Sequence, residues 1–364
     1  MTPLPGSGRT SRLAVVVVSY NVRELLGPCL HSVLASAQHS SSWLQVDVVV
    51  VDNASADGSA SMVAETFPQV HLMALDTNLG FAGGNNWALR ALGLGRPGTP
   101  EPAPWAPGNG VRLPSPDFVL LLNPDTEVMD DALGRMAAFL RDCPRAGACG
   151  ARLCYPDGRF QHAAFRFPGP LQVALDILPL EQVPGLARFL PALLDSPLNG
   201  RYPQALWDAG VPFPVDFVLG AALMVRREAV LDVGLLDEGY FMYCEEMDWC
   251  LRMHRAGWAV HAVPRARVVH HQGASSRQTH WPSFVHLWTS RARFYARHAD
   301  RFPRGTRATI QTILHLGLAW RRHLAWRRFA QGRLDGVALA AELDAYRAVA
   351  RAWSCPGRGP GRPG

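Results

Sequence analysis

The chain has 364 residues, 48% hydrophobic and 18% charged, which is enough apolar material for a sizeable core and excludes a disordered chain. Its net charge of +6 comes entirely from arginine, since no lysine is present, and this usage points to coding bias rather than to a nucleic-acid role. The seven cysteines are odd in number and never in Cys-x-x-Cys spacing, which argues against a disulfide framework and a structural zinc site and predicts reduced thiols in a cytoplasmic protein.

The first residues lack the apolar core of a signal peptide. Residues 13–19 (LAVVVVS) form a continuous β-branched run, expected of a strand buried on both faces. A helix is predicted over about residues 22–37, with Leu25, Leu26, Cys29, Leu30, Val33 and Leu34 as its apolar positions. A strand at 46–51, a helix at about 58–66 and a short strand at 70–75 follow. Next comes the glycine-rich segment from Asn78 to Asn86, then a helix to Leu92. This alternation predicts right-handed βαβ units and a mostly parallel sheet. Residues 93–116 are dense in Pro and Gly and read as a surface loop. The strand at 118–122 then runs directly into polar residues. Residues 166–214 hold nine prolines and read as an insertion or lid, and the apolar stretch within them, at 171–194, is too broken to span a bilayer. From 283 to 350 the chain is helical and Arg-rich, with Trp288, Trp320 and Trp326 interleaved.

In open α/β sheets, ligands bind outside the carboxyl ends of the strands. Ser19 and Asn21 follow the first strand, Asp52 and Asn53 the second, and Asn123 and Asp125 the strand at 118–122. A carboxylate at such an end can accept from a base or a ribose, and one on a neighbouring strand can hold a hard cation against a diphosphate. Each residue alone is equally well a turn former or a helix cap. The absence of G-x-G-x-x-G after the first strand, and of G-x-x-x-x-G-K-[ST] anywhere, disfavours a dinucleotide-binding dehydrogenase and a P-loop NTPase. Gly80, Gly83 and Gly84 mark a close backbone approach ahead of a helix whose N-terminus could meet an anion, with a ligand-free tight turn as the competing explanation. In the acidic cluster at 241–252, Glu245 and Asp248 share a helical face and Glu246 points elsewhere. Its aromatic neighbours would desolvate a carboxylate toward the pKa of a general base; a solvated acidic first turn is the alternative. His270 and His271 end a further apolar strand, where a histidine could complete a metal or diphosphate site.

With these motifs in order (VVVVSYN, VDNASADGS, NLGFAGGNN, LLNPDT, DFVLGAALMVRR, LDEGYFMYCEEMDWCLR and HHQGAS), the chain resembles family 2 glycosyltransferases of the GT-A fold, in the bacterial rhamnosyltransferase-like branch. The resemblance implies an α/β GT-A catalytic domain over 12–276, interrupted by the 93–116 and 166–214 insertions. A C-terminal helical region over 283–353 and flexible termini at 1–11 and 354–364 would complete the chain. It implies a nucleotide-sugar site lined by Ser19, Asn21, Asp52, Asn53, Asn78, Gly84, Asn85, Asn123, Gly220 and Ala221. Asp125 would bind a divalent cation, Mg²⁺ or Mn²⁺, with His270 as the better match for a further ligand and His271 as second choice. Asn123 replaces the first acid of the family's metal motif, so the cation has one carboxylate fewer. Glu246 would be the general base of a single inverting displacement, with Glu245 and Asp248 supporting it.

The implied reaction moves a sugar from a nucleotide-sugar donor to a hydroxyl of a glycan or lipid-linked acceptor. dTDP-L-rhamnose is the favoured donor, and a UDP-hexose or UDP-galactofuranose remains open. A nucleotide-sugar-binding protein without catalysis is the other reading, but both Glu245 and Glu246 are present. A nucleic-acid partner is not expected, because no recognised module accompanies the basic charge. The C-terminal Trp and Arg residues suit peripheral contact with the inner face of the cell membrane, or else an Arg-rich solvated face on a packed helix.

Overall fold

The β-branched run is β1 (Ser11–Ser19) in the computed structural model, which describes residues 10–95, 113–271 and 280–354. The expectations for the termini, for most of the 93–116 loop and for the end of HHQGAS fall outside the described residues. After β1 come α1 (Arg23–His39), β2 (Leu44–Asp52), α2 (Ser59–Thr66), β3 (His71–Ala74) and α3 (Gly80–Ala91). The chain then forms β4 (Phe118–Leu122), β5 (Thr126–Val128), α4 (Ala132–Asp142), β6 (Ala146–Cys154), β7 (Phe160–Gln161) and β8 (Ala164–Phe165). Residues 166–214, read as an insertion, contain three short helices: α5 (Pro170–Ile177), α6 (Leu190–Leu194) and α7 (Gln204–Asp208). They are followed by β9 (Phe213–Val215), β10 (Phe217–Val218), β11 (Ala222–Arg226), α8 (Arg227–Val233), α9 (Glu245–Arg255) and β12 (Ala259–His270). Three long helices end the described chain: α10 (His280–Arg297), α11 (Thr306–Ala330) and α12 (Gly336–Ser354).

Two compact units divide these elements, one holding residues up to 165, 204–238 and 246–275, the other 166–203, 239–245 and 276 onward. The first is built on a sheet of order β3-β2-β1-β4-β11-β6-β12-β5. Strands β3, β2, β1 and β4 are mutually parallel, as the βαβ pattern predicts. Every residue of β4 and all of Leu13–Ser19 are buried, which is what a strand covered on both faces requires. Strand β11 breaks the parallel run by pairing antiparallel with both β4 and β6. Helix α3 starts inside the glycine-rich segment rather than after it. Its Gly84 sits so close to β1 that a Cβ would lie 2.8 Å from Val18 Cγ1, so close helix–strand packing accounts for this glycine.

The second unit is helical. Trp288, Tyr295 and Trp353 are buried in it, and Trp353 Nε1–H donates to Trp288 O at 2.9 Å. Asp176 of α5 pairs with Arg291 of α10 at 2.7 Å, and Glu342 of α12 accepts from both Arg328 and Tyr346. Residues 239–245 lie along α10, where Ser290 Oγ–H donates to Met242 O at 2.8 Å and Phe241 stacks on His286. Six of the seven cysteines fall among the described residues, and all six are free thiols. Among the described residues no helix is long and apolar enough to cross a membrane.

Candidate active site

Within the first unit the polar residues singled out by sequence gather on one rim of the sheet. Ser19 and Asp52 are register partners at the ends of β1 and β2. The next parallel strand, β4, ends at Leu122, and Asn123 N–H donates to Ala221 O at 3.0 Å, which brings the Gly220–Ala221 turn before β11 to the same edge. His270, the last residue of β12, pairs with Thr126, and His271 N–H donates to Asp125 O at 2.9 Å.

The loops above β1–β3 lock onto one another. Asn21, at a left-handed φ of 52°, accepts from Ala56 N–H through Oδ1 (2.8 Å), and its own N–H donates to Ser55 Oγ (3.0 Å). Asp57 accepts from Arg23 N–H and from both Ser59 N–H and Oγ–H. Asn53 donates through Nδ2 to Asn78 Oδ1 (2.8 Å) and Gly80 O (3.1 Å), while its Oδ1 accepts from Leu79 N–H (2.9 Å). Asn78 Oδ1 also accepts from Gly80 N–H at 2.8 Å. The amides of Leu79 and Gly80 at the entry to α3 are therefore taken by side chains, as a tight turn without a ligand would have them.

Other polar atoms on the rim have no partner. Asp52 accepts from Ser55 N–H with Oδ2 (3.0 Å), yet its buried Oδ1 has none. Ser19 Oγ and Asn85 Oδ1 are likewise buried and unpartnered, and Asn85 is fixed by its Nδ2–H donating to Phe81 O at 2.9 Å. Buried polar atoms normally find partners, so a cluster of orphans marks a surface built for a polar ligand.

Asp125 and His270 meet, with His270 Nε2 3.4 Å from Asp125 Oδ1. Behind the ring, His270 Nδ1 lies 3.2 Å from Gln161 Oε1, an acceptor, so Nδ1–H donates to it and Nε2 is the nitrogen that faces Asp125. One carboxylate and one imidazole backed by a second hydrogen bond suit a divalent cation. Among the described residues no group of three His, Cys, Asp or Glu side chains is placed to hold a metal. Two protein ligands still fit Mg²⁺ or Mn²⁺ if substrate phosphate oxygens and water complete the shell. Nearby Cys29 is not a further ligand: burial pushes its thiol up to about 12, and its Sγ–H donates to Asn123 O at 3.6 Å. His271 is engaged elsewhere, 2.7 Å from Glu127.

At the start of α9, Glu245, Glu246 and Asp248 are 4%, 8% and 0% exposed, which removes the solvated-first-turn reading. Asp248 is bound to Arg252, four residues on, at 2.7 Å. Arg252 in turn donates to Val233 O and Leu235 O, so this pair ties α9 to the preceding loop. Glu246 differs. Burial raises its carboxyl to about 7, against lowering contributions from the N–H groups of Glu246, Met247 and Gly220, and its Oε2 has no hydrogen-bond partner. Such a group takes up and releases a proton near neutral pH. Gly220 lies 3.8 Å from Glu246 Cβ and 3.5 Å from the Phe81 ring, measured from where a Cβ would stand.

Three contributors escaped the sequence reading. Gln161 behind His270 lies in no motif, and Phe81, which holds Asn85 and flanks Gly220, sits in the glycine-rich segment without being singled out there. Arg252 carried a signal, its i,i+4 spacing from Asp248.

The family model described as "Glycosyltransferase like family 2" matches residues 11–285. The N-acetylglucosaminyl-diphospho-decaprenol L-rhamnosyltransferase of Mycobacterium tuberculosis is 31% identical over 315 residues, covering 86% of this chain and 93% of that protein. Rhamnosyltransferase WbbL of Escherichia coli K12 is 36% identical over 83 residues, 23% of this chain and 31% of that protein. Among solved structures, a mannosyltransferase from Pyrobaculum calidifontis in complex with GDP-Man and Mn²⁺ is similar with a TM-score of 0.50 at 16% identity, over 96% of this chain and 89% of that one.

Proposed function

The chain belongs to glycosyltransferase family 2 and is a sugar-transferring enzyme, and from that premise we propose that it moves L-rhamnose from dTDP-L-rhamnose to an N-acetylglucosaminyl diphospho-polyprenol, with inversion. The donor and acceptor follow the M. tuberculosis relative, which is similar along nearly its whole length. The observation that carries the chemistry is Glu246, a buried carboxylate on the sheet rim with one unpartnered oxygen and a pKa of about 7.

Glu246 accepts the proton of the acceptor hydroxyl as that oxygen bonds to the anomeric carbon. The bond from that carbon to the diphosphate oxygen breaks on the opposite face, and the nucleoside diphosphate leaves with the electron pair. Asp52 Oδ1 and Ser19 Oγ are the orphans that receive the nucleotide, and Asn85 Oδ1 receives a hydroxyl of the donor or acceptor. Asn21, Asn53 and Asn78 serve the nucleotide indirectly, by holding the loops that frame its site. Asp125 and His270 would hold a divalent cation, whose chemistry is to neutralise charge on the diphosphate. A polyprenol-linked acceptor places the reaction at a membrane surface.

The test is transfer by the purified chain with Mg²⁺ or Mn²⁺, dTDP-L-rhamnose and a short-chain N-acetylglucosaminyl diphospho-polyprenol. One deoxyhexose should be added and dTDP released. Transfer from UDP-hexoses instead would overturn the donor assignment, and no transfer from any donor would overturn the reading as a whole.

A further inference from the structure

Helix α11 presents two unlike faces. Ile310, Leu314, Gly317, Leu318 and Ala325 are buried, and Gly317 packs so tightly on Ile177 of α5 that a Cβ would lie 2.9 Å from it. The opposite face is exposed. It carries Leu316 (62% exposed), Trp326 (50%) and Phe329 (40%), with the Trp326 and Phe329 rings 5.9 Å apart. Arg322 and Arg327 flank them, exposed and without an acidic partner among the described residues, whereas Arg328 is taken up by Glu342. The 25 residues of α11 include no Asp or Glu.

An exposed Trp–Phe pair costs contact with water, and a one-sign surface costs self-repulsion. Both costs are reversed where a headgroup layer supplies negative charge above an apolar interior. Indole rings settle at that boundary, and arginine stems lie along it with the guanidinium in the headgroups. We infer that the exposed face of α11 docks on a bilayer of anionic lipid. The purpose of this contact, reaching a lipid-linked acceptor, rests on the proposed function; the contact itself does not.

The experiment is co-sedimentation of the full chain with phosphatidylcholine vesicles, with or without 30% phosphatidylglycerol. Association is expected with the anionic vesicles, falling about tenfold or more as salt is raised, since surface attraction is screened. Arg322→Glu/Arg327→Glu should abolish it, and Trp326→Ala/Phe329→Ala should weaken it severalfold, both with unchanged unfolding temperature. Equal binding to neutral vesicles, no binding to anionic ones, or charge-reversed variants that still bind would each overturn the inference. So would a Trp326→Ala/Phe329→Ala variant that loses self-association in sedimentation velocity but keeps vesicle binding, because the face would then meet a second copy of the chain. Transfer to a water-soluble short-chain acceptor separates the two claims. Charge-reversed protein should keep that activity and lose transfer to acceptor embedded in anionic vesicles, whereas inactivity of the unaltered chain on both acceptors would count against the proposed function alone.

Discussion

The loops above β1–β3 and the start of α9 both bring polar side chains to one sheet rim, and they use them in opposite ways. In the loops, Asn21, Asn53, Asn78 and Asp57 are bonded to neighbouring backbone, so their polarity sets loop shape. At α9, Glu246 is buried with an oxygen left over, and its polarity is held at a cost in stability. Asp52 lies between the two cases, one oxygen bonded to its own loop and the other orphaned. A polar residue within a motif therefore belongs to architecture or to chemistry according to whether its hydrogen bonds close locally.

The sharpest way to break this contrast is Glu246→Gln. Turnover should fall by about 10³-fold or more, the scale of losing a general base together with its charge, while dTDP still raises the unfolding temperature. Nucleotide binding lost together with turnover would place Glu246 with the architecture instead. In the unaltered enzyme, kcat/KM should fall as pH drops through about 7, because the base must be ionised.

The same residue gives the next largest effect, on stability. Its folded carboxyl titrates about 7 against 4.5 when unfolded, so the folded state holds the proton more tightly. The associated stability is fully present below pH 4.5 and is lost as pH rises through about 7, a change of about 3 kcal/mol. Glu246→Gln removes that slope. Chemical denaturation should show the variant gaining on the parent between pH 4.5 and 7 and keeping the gain above; parallel curves would contradict the burial argument.

Asn53→Ala should do the reverse, lowering stability by about 2–3 kcal/mol by leaving Leu79 N–H without a partner and taking one of the two donors from Asn78 Oδ1, with nucleotide affinity reduced only through the loosened loop. Asp52→Asn is the smallest change. Stability should stay within about 1 kcal/mol, because Oδ2 has a single local bond, while dTDP affinity measured by calorimetry drops roughly tenfold. An Asn53 variant that folds as well as the parent, or an Asp52 variant that unfolds, would reverse the assignment of the two residues.

Much of the sheet was legible in the chain because burial on both faces writes itself as an unbroken apolar run, as in β1 and β4. The antiparallel β11 was not, since ALMVR is equally apolar in either direction and only its partners decide. The glycine-rich segment misled for a related reason. Low helix propensity suggests a loop, but Asn53, 26 residues upstream in the loop after β2, accepts from Leu79 N–H and fixes the entry to α3. At the site, Asp125 and His270 could be paired through resemblance, yet Gln161, which orients the imidazole, carries no pattern. The orphaned atoms were equally unreadable, because a sequence names the donors and acceptors but not which of them stay unmatched.

The antiparallel strand also has a consequence for how the chain is made. The first βαβ units can pair as soon as they leave the ribosome, but β4 and β6 are not hydrogen-bonded to one another and are joined only through β11 between them. That strand is translated roughly 70 residues after β6 ends, an interval of several seconds at about 5–20 residues per second. Throughout it, the fully apolar β4 offers an open edge, so the nascent chain passes through a window in which chaperone capture and self-pairing compete with folding.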